Sequence, residues 1–290
     1  MKELVILSGK GGTGKTSLTG SIAYVAKEKL LLADCDVDAS NMHLITSKEK
    51  LHSREYKNGF TANVDAGLCT ACGICEKECA FDAIHINNEK AVVNEMFCEG
   101  CGLCVRLCPE KAISLSEMRV GEITVYMTRF NKKLVSAMMD SKRERSGKLV
   151  SEVKNVARDE AASENDEYII LDGPPGIGCP AIASLGRVDY ALLVAEPTMT
   201  GYHDMVRIHE LIKHFRIKTG LVVNKSDINA NMRRKILEYG SKESISLIGE
   251  IEYDDAFIEA VRRNITAAEY SERLKDKTMK IWENIKEEIK

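Results

Sequence analysis

Residues 4–17 read Leu4-Val5-Ile6-Leu7-Ser8-Gly9-Lys10-Gly11-Gly12-Thr13-Gly14-Lys15-Thr16-Ser17. Leu4 to Ser8 is an apolar run of strand length ended by glycine, the pattern of a strand buried on both faces. The glycines behind it let the backbone curl, so that N–H groups of Gly11, Gly12, Thr13, Gly14, Lys15, Thr16 and Ser17 converge on phosphate oxygens. Lys15 then reaches the terminal phosphates, and Thr16 places its hydroxyl on Mg2+. A glycine-rich turn alone is a weak signal. Gly-x4-Gly-Lys-Thr between a strand and the helical stretch Ser17 to Lys29 is a strong one for a bound nucleotide.

Strand and helix patterns go on alternating beyond this turn. Leu30 to Ala33, Tyr168 to Asp172, Tyr190 to Ala195, Gly220 to Val223 and Ile248 to Tyr253 read as strands, with helical stretches such as His203 to Phe215 between them. The alternation predicts a parallel sheet covered on both faces, with right-handed crossovers and ligand groups at the carboxyl ends of the strands.

Eight of the ten cysteines fall into two runs, Cys69-x-x-Cys72-x-x-Cys75-x-x-x-Cys79 and Cys98-x-x-Cys101-x-x-Cys104-x-x-x-Cys108-Pro109. With this spacing three cysteines wrap one [4Fe-4S] cluster and the fourth reaches the other, so the expected ligand sets are crossed. Cys69, Cys72, Cys75 and Cys108 are expected to hold one cluster, and Cys98, Cys101, Cys104 and Cys79 the second. Zinc sites also use four thiolates, but they usually separate two C-x-x-C pairs by a longer loop. Disulfides are not expected: no secretion signal is visible, and a charged chain of this kind belongs in a reducing cytoplasm. Phe60 to Val64, Ala83 to Ile86, Ala91 to Val93 and Ala112 to Leu115 read as short strands, with Asn87-Asn88 as a turn. The region resembles a bacterial-type two-cluster ferredoxin. One departure is Ala80, where a proline follows Cys108 in the second run; it makes the two cluster environments unequal.

The nucleotide motifs resemble the deviant Walker A, or MinD/ParA-like, ATPase superfamily, which also contains the nitrogenase iron protein and Mrp-type cluster carriers. The resemblance implies ATP with Mg2+ and a nucleotide-sandwich homodimer in which Lys10 crosses the interface to the partner's nucleotide. Asp34-Cys35-Asp36-Val37-Asp38-Ala39-Ser40-Asn41 is similar to switch I, with Asp36 aligning the attacking water; Asp38 stands where many relatives have glycine or lysine. Tyr168 to Asp172 resembles Walker B, whose Asp172 holds Mg2+ through water. Gly173-Pro174-Pro175-Gly176 resembles switch II, with the Gly176 N–H sensing the γ-phosphate. Asn224-Lys225 resembles the adenine-reading asparagine motif, and Glu250 to Asp254 loosely resembles the loop covering the base. Lys10, Lys15 and Asp36 are thus the implied catalytic residues. The implied fold class is α/β: a mostly parallel, doubly wound P-loop sheet from residues 1–58 and 119–290, interrupted at 59–118 by a small α+β bacterial-type ferredoxin domain.

The expected function is ATP hydrolysis in which nucleotide-dependent dimerisation is coupled to electron transfer through two [4Fe-4S] clusters, with a redox or metallocofactor-bearing protein as partner. The alternative is an iron-sulfur or metallocofactor assembly carrier. A spatial-positioning ATPase on membrane or DNA leaves the cysteine runs unexplained. A net charge of -3 and a pI near 6.1 give no electrostatic footprint for nucleic acid. Lys142-Arg143-Glu144-Arg145 is short and mixed in sign, as in a solvated loop. Ile281, Trp282, Ile285 and Ile289 share one face of a last helix whose other face carries both signs of charge, so docking on the core is expected rather than stable membrane association. Met138-Met139 reads as core and Cys35 as packing. Cys179, seven residues after Asp172, reads as a switch thiol, a further cluster ligand or packing.

Overall fold

The computed structural model describes residues 1–140 and 146–290, so the Lys142-Arg143-Glu144-Arg145 patch lies outside the described residues. The chain divides into two compact units, Met1–Arg54 with Glu122–Met139 and Arg145–Lys290, and Glu55–Gly121 with Asp140–Glu144. In chain order the elements begin β1 (Lys2–Ser8), α1 (Lys15–Val25), β2 (Leu30–Asp34), α2 (Met42–Thr46) and β3 (Ser47–Val64). The second unit adds α3 (Ile74–Lys77), β4 (Ile84–Asn87), β5 (Lys90–Val93) and α4 (Leu103–Leu107), and β6 (Ile113–Thr128) returns the chain to the first. Then follow β7 (Lys133–Met139), α5 (Ser146–Glu164), β8 (Tyr168–Pro175), α6 (Cys179–Leu185), β9 (Tyr190–Ala195), α7 (Met199–His214), β10 (Lys218–Asn224) and α8 (Ala230–Lys242). The chain closes with β11 (Ser246–Ile251), α9 (Ala256–Arg262), α10 (Ala267–Tyr270) and α11 (Glu272–Ile289).

Among the described residues nine strands form one sheet in the order β11-β10-β9-β1-β8-β2-β7-β6-β3. From β11 to β7 every neighbouring pair is parallel. The chain turns from β6 to β7 through residues 129–132, and a connection that short joins antiparallel neighbours. Burial shows why the central strands read as continuous apolar runs. Leu4, Ile6, Leu30, Leu32, Ile170, Leu192 and Val222 join one core with α1 and α11. The alternating residues Val5, Leu7, Leu31, Ala33, Leu171, Leu193 and Leu221 are equally buried, so both faces of the sheet are covered.

Several expectations need correction. The helix expected over Ser17 to Lys29 ends at Val25, because Lys132 donates its ammonium to the carbonyls of Ala23 and Ala26 and so satisfies the end of the helix early. β3 and β6 are far longer than the short strands expected there, and β7 carries no strong sequence signal. Met138 is exposed rather than core. On α11 the apolar face docks as expected: Ile281, Trp282, Ile285 and Ile289 are all buried, and the indole N–H of Trp282 donates to Glu28 at 2.9 Å. Among the described residues no helix is long and apolar enough to cross a membrane.

The second unit has a small core, in which Ala62, Cys75, Ile84, Ala91 and Ile113 are buried and Cys69, Cys79, Cys98, Cys104 and Cys108 pack against them. β4 and β5 form a separate antiparallel pair. So few buried apolar groups leave a unit of this size short of hydrophobic stabilisation, a deficit that small domains usually meet with cross-links or bound metal.

Candidate functional site

The phosphate loop follows β1, and Gly14 caps α1 in the left-handed region at φ 92, with no side-chain hydrogen bond closing the helix end. The first three N–H groups of α1, on Lys15, Thr16 and Ser17, have no acceptor within the helix and lie at its positive end. They face a cavity of about 790 Å³. Gly11, Gly12, Gly14, Lys15, Thr16, Ser17, Asp36 and Asn224 all line it, so most of the expected nucleotide residues come together. Lys10, Thr13, Asp172 and Gly176 do not line it, although Thr13 is buried with its hydroxyl unpartnered.

Beneath the loop Ser8 acts as a hub that the sequence reading missed. Its hydroxyl accepts from the buried Lys15 ammonium at 2.9 Å and donates to the Lys10 carbonyl at 2.7 Å. Its carbonyl accepts from the Gly176 N–H at 3.1 Å, so in this state Gly176 is committed to β1. Thr16 and Thr19 donate to the two carboxylate oxygens of Asp172 at 2.6 and 3.2 Å; β8 runs past this acid to Pro175 rather than ending at it as expected. Asp34, at the end of β2, was given no role from sequence. Its carboxylate accepts from Ser40 and from the N–H groups of Asp36, Asn41 and Met42, and thereby shapes the switch-like loop.

Electrostatics follows from this burial. Desolvation pushes the Asp172 carboxyl above the ordinary range against the pull of Lys15, and it pushes Asp34 up too, reinforced by the nearby Asp172 charge. Burial also lowers Lys15, opposed by Asp172, Asp36 and Asp34. Asp36 is raised by burial, while Lys15 draws it back down. A cation bound at Asp172 would therefore meet competition from protons at a higher pH than at an ordinary carboxylate. Mg2+-dependent nucleotide affinity is expected to fall several-fold from about pH 8 to about pH 6, and Asp172→Asn should remove that part of the dependence. Isothermal titration with Mg·ADP at each pH checks it; an identical pH profile in the variant contradicts it.

Asn224 lines the cavity while its amide donates to the Thr13 carbonyl at 2.7 Å and accepts from the Lys225 N–H at 3.0 Å, which pins the phosphate loop and leaves its second N–H and second lone pair unused by these bonds. The far end of the cavity is lined by Tyr253, Asp254, Phe257, Ile258, Val261 and Arg262. The α9 residues among them were not foreseen; their signal is the apolar face of Ala256–Arg262. Cys35 is fully buried, whereas Cys179 is exposed at the first position of α6, which excludes core packing for it in this state. Lys154, buried on α5, fixes the other end of α6 by donating to the carbonyls of Ser184 and Gly186 at 2.6 and 2.5 Å.

All ten cysteines lie within the described residues, and no disulfide joins any two of them. In the second unit Cys69, Cys72, Cys75 and Cys108 line one small cavity, and Cys75, Cys79, Cys98, Cys101 and Cys104 line another. A single tetrahedral ion needs its donors within about 2.3 Å of one point. Among the described residues no three or more His, Cys, Asp or Glu side chains are grouped closely enough to hold a metal ion as they stand; the thiols line the two cavities. Four backbone N–H groups point at sulfur: Ala62 at Cys98, Ala83 at Cys79, Ala91 at Cys69 and Ala112 at Cys108, all at 3.3–3.5 Å. Cys69 and Cys98, Cys79 and Cys108, Ala62 and Ala91, Ala83 and Ala112 each stand 29 residues apart, so the hydrogen-bond pattern is a structural duplication. Such donors favour thiolate over thiol, and at Cys69 they hold the thiol below its usual range.

Comparison with known proteins bears on the nucleotide-binding part of these features. The model of the CobQ/CobB/MinD/ParA nucleotide binding domain matches residues 4–267. The uncharacterized protein MJ0578 of Methanocaldococcus jannaschii is 32% identical over 99% of this chain and 97% of its own length. A putative septum site-determining protein MinD of Mesostigma viride is 24% identical over 90% of this chain and 74% of its own. Among solved structures, the septum site-determining protein MinD of Pyrococcus horikoshii, complexed with Mg-ADP, is similar with a TM-score of 0.54 at 16% identity, over 98% of this chain and 95% of that one. That likeness concerns the α/β fold and its large, mostly parallel sheet. On its motifs, its matched span and its full-length relative, the chain belongs to the CobQ/CobB/MinD/ParA nucleotide-binding family.

Proposed function

We propose that this chain is an ATP-hydrolysing iron-sulfur protein whose nucleotide-dependent dimerisation is coupled to electron transfer toward a redox or metallocofactor-bearing partner. The observation that carries the reading is the pairing of a nucleotide-family cavity with two cysteine-ringed cavities whose membership is crossed between the runs. The thiols of Cys69, Cys72, Cys75 and Cys108 hold one [4Fe-4S] cluster and those of Cys98, Cys101, Cys104 and Cys79 the other, within an inserted ferredoxin domain at residues 59–118. Clusters bound there supply one-electron transfer.

At the nucleotide, the N–H groups from Gly11 to Ser17 and the Lys15 ammonium bind phosphate, and Thr16 with Asp172 holds Mg2+, an ion found with ADP in the Pyrococcus horikoshii relative. Asp36 lines the cavity and orients or deprotonates the attacking water. Gly176 leaves the Ser8 carbonyl when its N–H turns to the γ-phosphate, and Asn224 holds the loop beside the base. Lys10 acts across a sandwich homodimer. Anaerobically purified protein should carry about eight irons per chain with matching sulfide and hydrolyse ATP only with Mg2+. Zinc in place of iron sinks the cluster assignment.

In an Asp36→Asn variant water alignment fails while phosphate and metal contacts remain, so an ATP-bound dimer should accumulate and be visible by light scattering. Cys179 lies three residues beyond Gly176, and its alkylation in that variant should slow markedly when ATP is added, as closure covers the thiol. A monomer at saturating ATP, or equal labelling rates, counts against the switch.

A second reading, an assembly carrier that uses hydrolysis for cargo transfer, is favoured by one observation: Cys179 is exposed and able to act as a labile ligand. An extra cluster lost on replacing Cys179, with the other two retained, supports that reading.

A further inference from the structure

One largely buried carboxylate of the first unit, Glu196, has no part in the chemistry described so far, yet it meets two lysines at the edge of the nucleotide cavity. Glu196 follows β9, and β9 lies between β1 and β10 in the sheet, so the carboxylate emerges between the phosphate loop and the turn after Asn224. One of its oxygens stands 3.6 Å from the Lys10 ammonium and 3.5 Å from that of Lys225. The Glu196 side chain is only 12 % exposed, while Lys10 and Lys225 are about a third exposed. Lys225 also approaches the Gly12 carbonyl at 3.5 Å and lines the nucleotide cavity, whereas Lys10 does not.

The backbone at Lys10 is held. Its carbonyl accepts from Ser8, and a side chain at Gly9 would collide with the Asp204 backbone of α7, which packs against the loop there. Only the Lys10 side chain is free to change partner. For Lys10 to reach another protomer's phosphates, it must leave Glu196. A largely buried carboxylate stripped of its sole counter-ion would resist strongly, but here Lys225 stays behind as its partner. The pair is therefore built to open.

We propose that Glu196 is a positioning residue that holds Lys10 within its own protomer and so sets the protein concentration at which ATP draws two copies together. This rests on the reading of Lys10 as acting in trans. Two such pairs must open per dimer, so even a modest ion-pair contribution is counted twice.

The test uses the full chain carrying Asp36→Asn at saturating Mg·ATP, with dimerisation followed by analytical ultracentrifugation. Adding Glu196→Gln should lower the half-dimerisation concentration about three- to ten-fold. Glu196→Asp, which keeps the charge, should stay near the parent. Lys225→Met leaves Glu196 with Lys10 alone and should raise the concentration, an opposite sign that a general loss of stability in Glu196→Gln cannot imitate. In a Lys10→Ala background Glu196→Gln should change nothing further. A half-dimerisation concentration unchanged or raised by Glu196→Gln overturns the proposal, as does an equal shift with and without Lys10. Should Lys10→Ala alone hydrolyse ATP at the parent rate in the otherwise native chain, the trans reading fails, and the latch with it. If that single variant is impaired but Glu196→Gln does not act, only the latch fails.

Discussion

Lys10→Ala is expected to lower ATP turnover by roughly three to five powers of ten, the range found when a charge supplied in trans is removed from phosphoryl transfer. The cavity argues that binding survives the change. Lys15, the N–H groups of α1, Thr16 and Asp172 are arranged without any contribution from Lys10, whose ammonium instead meets Glu196. Nucleotide affinity of the dilute, monomeric variant should therefore stay near the parent's while phosphate release collapses. Fluorescent-nucleotide titration and a phosphate-release assay separate the two quantities. Turnover at the parent rate would mean that Lys10 is a local ion-pair partner and nothing more.

Cys72→Ala is expected to remove one cluster and retain the other, leaving about half of the iron. Cys72 is the informative choice because it lines only one of the two cysteine cavities, whereas Cys75 lines both. The second set, Cys79, Cys98, Cys101 and Cys104, keeps its four thiols, and the N–H groups of Ala62 and Ala83 still point at Cys98 and Cys79. Iron analysis with electron paramagnetic resonance checks the outcome. Loss of all iron would show that the small core of this unit cannot hold one cluster without the other, and full retention would contradict the ligand set.

The phosphate loop was legible in the sequence because its chemistry is local: glycine spacing sets the backbone path, and the lysine and threonine follow at fixed offsets. The grouping of Cys108 with Cys69, Cys72 and Cys75 around one cavity likewise follows from fixed spacing. Residues that act through spatial neighbours were not legible in this way. Glu196 meets Lys10 only because β9 pairs with β1, Asp34 organises a loop through four hydrogen bonds, and Lys154 caps a helix far along the chain. The long strands were missed for another physical reason. Ser47–Val64 is exposed over most of its length, so it shows no apolar alternation, and its Lys48, Glu49 and Lys50 suit an edge strand kept from pairing with other chains. Asn224 lies at the expected cavity, and one donor and one acceptor site of its amide also tie the phosphate loop, a second task that its motif did not announce.

Coupling between nucleotide and clusters is tested most directly by the midpoint potential of the anaerobically prepared Asp36→Asn protein, followed by electron paramagnetic resonance during reductive titration with and without Mg·ATP. The account predicts a shift of about 60 mV or more on adding ATP, a tenfold change in the one-electron equilibrium. Potentials that are the same in both states, measured on protein shown to bind ATP and to carry its iron, would contradict it.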